Sequence, residues 1–122
     1  MRARIRITSL CALALILAAC GGGGVGSECT TNEDCTTENT VCLTQFKGGY
    51  CGMQGCTASS DCPPDSACVK HTDGQNYCFL TCIDKPDCNR NRPPTLEANC
   101  SSNVTFVSGE KEGKACVPPS GT

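Results

Sequence analysis

The chain begins with a basic and then apolar stretch that differs from everything after it. Arg2, Arg4 and Arg6 precede ten mostly apolar residues, from Leu10 to Ala19. A helix of that length rises about 15 Å, which is half of the roughly 30 Å hydrocarbon core of a membrane, so the stretch is too short for a permanent span. A basic start followed by a short apolar run is typical of an export signal. We therefore predict that residues 1–19 are a signal peptide that is removed.

After this leader, apolar residues occur singly or in short alternating runs between cysteines. The segment CLTQFKGGYC turns at Gly48-Gly49, and CVKHTDGQNYC turns at Asp73-Gly74, a favoured tight-turn pair. The segment CSSNVTFVSGEKEGKAC alternates apolar and polar residues before a turn at Gly109. No stretch after the leader has a helical period. The pattern predicts short β-hairpins and loops.

Twelve cysteines follow the leader in three sets of four. The first two cysteines of each set are separated by five residues, and the sets start 27 and 26 residues apart, which is the regular period of tandem small modules. The predicted modules are residues 29–55, residues 56–81, and a divergent third copy with its tail, residues 82–122. Connections of only four and three residues predict rigid stacking of the modules. The sets are Cys29, Cys35, Cys42 and Cys51; Cys56, Cys62, Cys68 and Cys78; and Cys82, Cys88, Cys100 and Cys116.

The composition explains why these cysteines are expected to be paired. The chain of 122 residues has 14 cysteines and no tryptophan, and only 16 large apolar or aromatic residues follow Cys20. So small a core cannot offset a chain entropy of roughly 1–2 kcal/mol per residue, whereas each disulfide contributes about 2–4 kcal/mol. Exported cysteines form disulfides because the compartment is oxidising. The predicted fold class is small and disulfide-rich, with short β-hairpins and loops in three tandem cysteine-rich modules and no sizeable hydrophobic core.

The pairing is not fixed by spacing alone, because four cysteines allow three pairings within each module. Pairing neighbours would leave the opening loop of a module untied from its hairpin. Joining the first cysteine to the third and the second to the fourth ties both together, and we favour this crossed pairing. Zinc binding and redox chemistry are the alternatives. Because His71 is the only histidine and no Cys-x-x-Cys occurs, we predict no metal or other cofactor.

The end of the leader, Leu17-Ala18-Ala19-Cys20, resembles the lipobox of bacterial lipoproteins at all four positions. The resemblance implies cleavage between Ala19 and Cys20, a diacylglyceryl group on the Cys20 thiol and a further acyl chain, such as palmitate, on its amine. Several acyl chains anchor a protein, since each buried CH₂ adds about 0.8 kcal/mol. An ordinary secretory signal cut nearby is the alternative, but Leu17 fits its small-x-small preference badly.

The residues after Cys20 indicate where in the cell envelope the protein is located. In the lipoproteins of enteric bacteria, an aspartate directly after the lipidated cysteine favours retention in the inner membrane. This chain has Gly21 at that position. By analogy, we expect a lipid-anchored protein of the cell envelope that is located at the outer membrane or the cell surface. Residues 20–28 are rich in glycine. Because such chains behave as flexible coil, we predict a lipidated, disordered tether here.

An aspartate stands directly before the second cysteine of each set: Asp34, Asp61 and Asp87. The repeated Cys-x₄-Asp-Cys pattern over residues 29–116 resembles the cysteine-rich surface lipoproteins of large-genome bacteria such as myxobacteria, and it is loosely similar to Dickkopf-type and EGF-like modules. One interpretation makes these aspartates calcium ligands, but calcium takes six to eight oxygens and no module has a dense acidic run. We predict that each carboxylate instead fixes a turn.

The net charge and the single histidine limit the classes of function that the sequence allows. The chain carries −2, and removing three arginines with the leader leaves −5, which argues against nucleic-acid binding. His71 has no nucleophile motif beside it, so we expect a solvated surface residue, no catalysis and no small-molecule substrate.

The function predicted is that of a membrane-anchored envelope lipoprotein displaying a binding or structural module. Membrane lipid is the partner of acylated Cys20, and a protein is the expected partner at the cell surface. Preorganised disulfide-stapled loops lower the ordering cost of binding. One alternative is a protease inhibitor using the loop Asn89–Asn99, which contains Pro93-Pro94. The second alternative is a metal-binding envelope protein.

Overall fold

The computed structural model describes residues 23–108 and 113–121. The predicted signal peptide, its cleavage residue Ala19, the lipidation site Cys20 and the predicted turn at Gly109 lie outside the described residues. No helix in the described part of the chain is long and apolar enough to cross a membrane. The strands are β1 (Val41–Cys42), β2 (Cys51–Gln54), β3 (Ser66–Lys70), β4 (Asn76–Cys82), β5 (Asn99–Ser101), β6 (Thr105–Phe106) and β7 (Lys114–Val117); one helical turn, α1 (Lys85–Cys88), follows β4, and 3₁₀ turns cover Asn32–Asp34, Ser59–Asp61 and Pro94–Leu96.

Strand β4 joins the three cysteine sets into one antiparallel sheet. The first half of β4 pairs with β2, where Met53 lies opposite Cys78. Residues 76–80 of β4 also pair with β3. Its end pairs with β7, through Thr81 opposite Ala115. Strand β1 pairs with β2, β6 with β3, and β5 with β7. The protein is therefore small, strand-rich and continuous across its three cysteine sets.

Two of the predicted hairpins form around their predicted turns. Gly48 and Gly49 have φ angles of 77° and 69° between β1 and β2, in the left-handed region that glycine adopts freely. The His71 amide donates to the Gln75 carbonyl at 2.8 Å, which closes the turn between β3 and β4.

The third hairpin differs from the prediction. Strands β5 and β7 pair with one another, but β6 between them leaves to pair with β3 of the second set. Val104 and Phe106 pack against the aromatic core there, so burial of these two side chains draws the segment across. The turn α1 was also not predicted, because four residues are too few to establish a helical period.

Six disulfides brace this sheet, and every one follows the crossed pairing. In each set the first cysteine joins the third and the second joins the fourth. Eight of these twelve cysteines are buried and the other four are half-buried, and each set of two disulfides forms its own small cluster. The pairs are Cys29–Cys42, Cys35–Cys51, Cys56–Cys68, Cys62–Cys78, Cys82–Cys100 and Cys88–Cys116.

A small aromatic core lies between the disulfide clusters and draws on all three sets. Tyr50 and Phe79 are fully buried, with ring centroids 5.2 Å apart in an edge-to-face arrangement. The Tyr50 hydroxyl accepts a hydrogen bond from the Leu80 amide at 3.0 Å and donates to the Cys116 carbonyl at 3.4 Å. The complete cluster is Leu43, Phe46, Tyr50, Val69, Tyr77, Phe79 and Ala115.

The glycine-rich segment is not a free tether from Gly23 onwards, and that prediction is wrong for residues 23–28. The Gly26 amide donates to the Cys51 carbonyl at 2.9 Å, and the Cys51 amide donates to the Ser27 carbonyl at 3.0 Å. Both Gly26 and Ser27 are buried. At Gly23 the φ angle is 115°, and a Cβ atom would meet the Asp34 carbonyl at 2.9 Å. Glycine is needed here for close approach of the backbone rather than for flexibility.

Candidate functional site

The three predicted turn aspartates repeat one hydrogen-bonded motif. The backbone amides of Thr30 and Thr31 donate to Asp34 Oδ2 at 2.9 and 3.1 Å. The Thr30 hydroxyl donates to the same oxygen at 3.1 Å. Each carboxylate therefore closes the loop between the first two cysteines of its set. The equivalent donors are Thr57 and Ala58 for Asp61 (2.9 and 3.2 Å) and Ile83 and Asp84 for Asp87 (2.9 and 3.1 Å).

These hydrogen bonds set the charge state of the aspartates. Backbone donors, with Thr57 the strongest, hold the pKa of Asp61 below its ordinary value of 3.8, and the pKa of Asp34 is lowered in the same way through Thr30. In the third set an isoleucine replaces the threonine, and Arg90 instead forms an ion pair with Asp87 Oδ1 at 3.3 Å. An oxygen that already accepts two or three hydrogen bonds is committed to the turn, which favours the structural role over calcium binding.

The cysteine sulfur atoms of each set lie close together but are covalently bonded. The Sγ atoms of Cys29, Cys35 and Cys51 all lie within 4.8 Å of one another, and the other two sets repeat the arrangement. Metal binding requires thiolates. Because each of these atoms is joined to a partner sulfur, the clusters consist of stacked disulfides rather than of metal ligands.

A buried arginine, which the sequence analysis did not identify, holds the third set against the first. Arg92 is 6% exposed. Its guanidinium donates to the carbonyls of Gly49 at 2.7 Å, Lys47 at 3.0 Å and Gly26 at 3.3 Å, while Nε donates to Leu96 at 2.7 Å. Burial lowers the pKa of Arg92 from its ordinary value. An arginine in a loop next to two prolines carries no sequence signal for such a role.

Arg92 belongs to the loop Asn89–Asn99, which the protease-inhibitor alternative would use. The Asn89 side chain ties the two ends of the loop together, donating to the Ala98 carbonyl at 3.0 Å and accepting from the Ala98 amide at 2.8 Å. The Arg92 side chain points inward, and Leu96 packs beside Gly48. Arg90 is the basic side chain of this loop that remains accessible to a protease.

One end of the molecule carries a groove around Arg90. Two adjoining cavities of about 390 and 640 Å³ share Arg90, Asp87, Asp65 and Leu80 in their walls. We call this surface the Arg90 groove, and it is defined by Gly24, Asp65, Leu80, Asp87, Arg90 and Lys114. Ile83, 78% exposed, stands at its edge.

The other end carries a smaller cavity beside the turn between β3 and β4. Its volume is about 260 Å³, and we call it the distal cavity. Strands β3, β5 and β7 contribute to its walls, and each of these strands holds a half-cystine. The defining residues are the apolar Val69, Val104 and Val117 and the polar His71, Asn99 and Asn103.

His71 is half-buried rather than fully solvated as expected. Its ring packs edge-on against Phe46 at 5.5 Å, Phe79 at 5.7 Å and Tyr77 at 5.8 Å between centroids. The neighbouring Tyr77 hydroxyl donates to Asp73 at 2.7 Å and accepts from Gln45 at 3.2 Å. The imidazole is thus part of the aromatic packing that supports one wall of the distal cavity.

Comparisons with protein-family models, with curated proteins and with solved structures found no match for the chain.

Proposed function

We propose that the protein is a lipid-anchored lipoprotein of the bacterial cell envelope that displays a disulfide-braced binding module and performs no catalysis. The observation that carries the proposal is the sequence distance between the lipobox cysteine and the braced domain. Gly23, three residues after Cys20, already belongs to the packed domain, and this domain contains six disulfides. Disulfides persist in oxidising compartments, which agrees with export by the leader.

The distal cavity is the proposed binding site. Its walls stand on strands cross-linked to their neighbours, so little conformational entropy is lost when a partner binds. At about 260 Å³ it is smaller than the roughly 300–1,000 Å³ of most small-molecule sites. Its apolar floor and amide rim suit one side chain of a protein partner, with the rest of that partner resting on the surrounding surface.

The anchor is tested by the intact mass of protein extracted from membranes, with thiol alkylation before and after reduction. The expected species starts at Cys20, carries acyl mass and takes up twelve alkyl groups only after reduction. The matched control is Cys20→Ser, which should lose both the acyl mass and the membrane fraction. A lipid-free wild-type species in the medium would overturn the anchor, and free thiols before reduction would contradict the braced domain.

The binding site is tested on cells by placing a photo-crosslinking amino acid at Asn103, on the rim of the distal cavity. Glu38, exposed in the first set, is the matched control position. A discrete adduct at Asn103 and none at Glu38 is the expected result. Equal labelling at the two positions, or none at either, would overturn the distal cavity as the binding site.

A further inference from the structure

Very little chain separates Gly23, which is packed into the domain, from the proposed lipid on Cys20. Cys20 and Gly23 are three residues apart, and extended chain spans at most about 3.6 Å per residue. The connection between these two residues, which we call the leash, is therefore no longer than about 11 Å. Gly23 is held in place, because its amide donates to Ser27 Oγ at 3.0 Å and its carbonyl accepts from the Thr36 amide at 2.8 Å. A domain of about 100 residues has a radius of gyration of about 13 Å, so it cannot turn over on such a leash.

We propose, on the basis of the lipid anchor proposed above, that the Arg90 groove lies against the phospholipid headgroup layer. The chain enters the domain at this surface, since Gly24 lines the groove and Gly23 lines the adjoining cavity, which also contains Arg90. A short leash at that point brings this face, and not another, to the membrane.

The chemistry of the face suits an interface between water and lipid. Ile83 is the more exposed of the two large apolar residues on the described surface, at 78% against 42% for Val41. It stands beside Arg90 and Lys114 at a cavity wall that also carries Asp65 and Asp87, and Asp87 pairs with Arg90 at 3.3 Å. Long basic side chains reach lipid phosphates while their stems cover apolar surface, and an isoleucine between them gains by entering the headgroup region.

The opposite end of the molecule then points away from the membrane. Strand β4 runs from Asn76 beside the distal turn to Cys82 beside the groove. Six residue steps at about 3.3 Å each separate these ends by roughly 20 Å. Thr72, at the rim of the distal cavity, is therefore held well clear of the bilayer, where a protein partner can reach it.

The chain contains no tryptophan, so single introduced tryptophans report position without background. Lipidated Ile83→Trp and Thr72→Trp proteins are reconstituted in phosphatidylethanolamine–phosphatidylglycerol vesicles containing phosphatidylcholine with a headgroup nitroxide. Both sites are exposed, and retention of all six disulfides by alkylation mass verifies the fold of each variant. We expect several-fold stronger quenching at position 83 than at position 72.

The controls separate this proposal from the anchor itself. Vesicle flotation is measured first: wild-type protein that does not float overturns both the anchor and the orientation. If it floats but the two tryptophans are quenched equally, only the orientation is overturned. Inserting ten glycine and serine residues between Gly22 and Gly23 lengthens the leash to roughly 20 Å. This insertion should keep flotation and bring the quenching ratio towards one, and an unchanged ratio would contradict the short leash as the orienting device.

Discussion

The guanidinium of Arg92 lies 5.8 Å from the centre of the Tyr50 ring, and both side chains are buried. Desolvation raises the pKa of Tyr50 far above its usual range, so the phenol stays neutral and its ring faces a cation. Tyr50 reaches the second set through the Leu80 amide and the third through the Cys116 carbonyl. The pair therefore lies where the three cysteine sets meet, and it connects loops that no disulfide joins.

Loss of the Arg92 side chain should destabilise the domain strongly. Arg92→Ala leaves two buried and two part-buried carbonyls without this donor, and we expect a loss of about 2–4 kcal/mol in the free energy of unfolding. Urea denaturation of the oxidised protein measures it. The matched control is Arg90→Ala in the same loop, where an exposed ion pair is worth at most about 1 kcal/mol. Equal losses in the two variants would contradict the structural role assigned to Arg92.

The turn aspartates should make stability fall in acid. The folded pKa of Asp61 lies below its ordinary value of 3.8, so the stability it adds is present above that value and is lost as the pH falls through the folded pKa. Asp61→Asn should therefore flatten the dependence of the urea midpoint on pH between neutrality and strong acid. Asp65→Asn, which removes another exposed carboxylate of the second set, is the matched control. If the pH profile were flattened in the Asp65→Asn control alone, the acid sensitivity could not be assigned to Asp61.

The six disulfides should not contribute equally. Cys88–Cys116 closes a sequence separation of 28 residues and Cys56–Cys68 one of 12, while all four cysteines are buried alike. From loop entropy in the unfolded chain, replacing the first pair by alanines should cost about 4 kcal/mol and replacing the second about 3 kcal/mol. Parallel urea titrations of the two double variants give the order. The reverse order would show that packing around the sulfurs outweighs loop closure.

What the sequence predicted well is local. Five of the six crossed disulfides and the turns at Gly48-Gly49 and Asp73-Gly74 depend on residues fewer than twenty positions apart, where cysteine spacing and turn chemistry act directly; the sixth, Cys88–Cys116, spans 28 residues. The pairing of Thr81 with Ala115 and the reach of Arg92 to Gly26 depend on contacts across more than thirty and sixty residues. No periodic pattern records such contacts, so the single sheet could not be foreseen.

The same limit explains the error over the glycine-rich segment. Glycine gives flexibility in isolation, but it also permits the closest approach of two backbones. A flexible tether and a closely packed segment can share the glycine-rich composition of residues 21–27. Only the partner, Cys51 on β2, distinguishes them, and Cys51 is remote from Gly26 in sequence.

Amide hydrogen exchange of the full mature protein distinguishes a docked segment from a free tether without any substitution. Gly26 and Cys51 donate main-chain hydrogen bonds across the junction at 2.9 and 3.0 Å, and both residues are buried. We expect both amides to exchange slower than their intrinsic rates by roughly a thousandfold or more, because opening the junction also breaks the contact of Gly26 with Arg92. The exposed turn residues Glu38 and Asn39 serve as internal references for rapid exchange. Gly26 exchanging as fast as these references while Cys51 stays protected would return the segment to a tether and lengthen the leash on which the proposed membrane orientation depends.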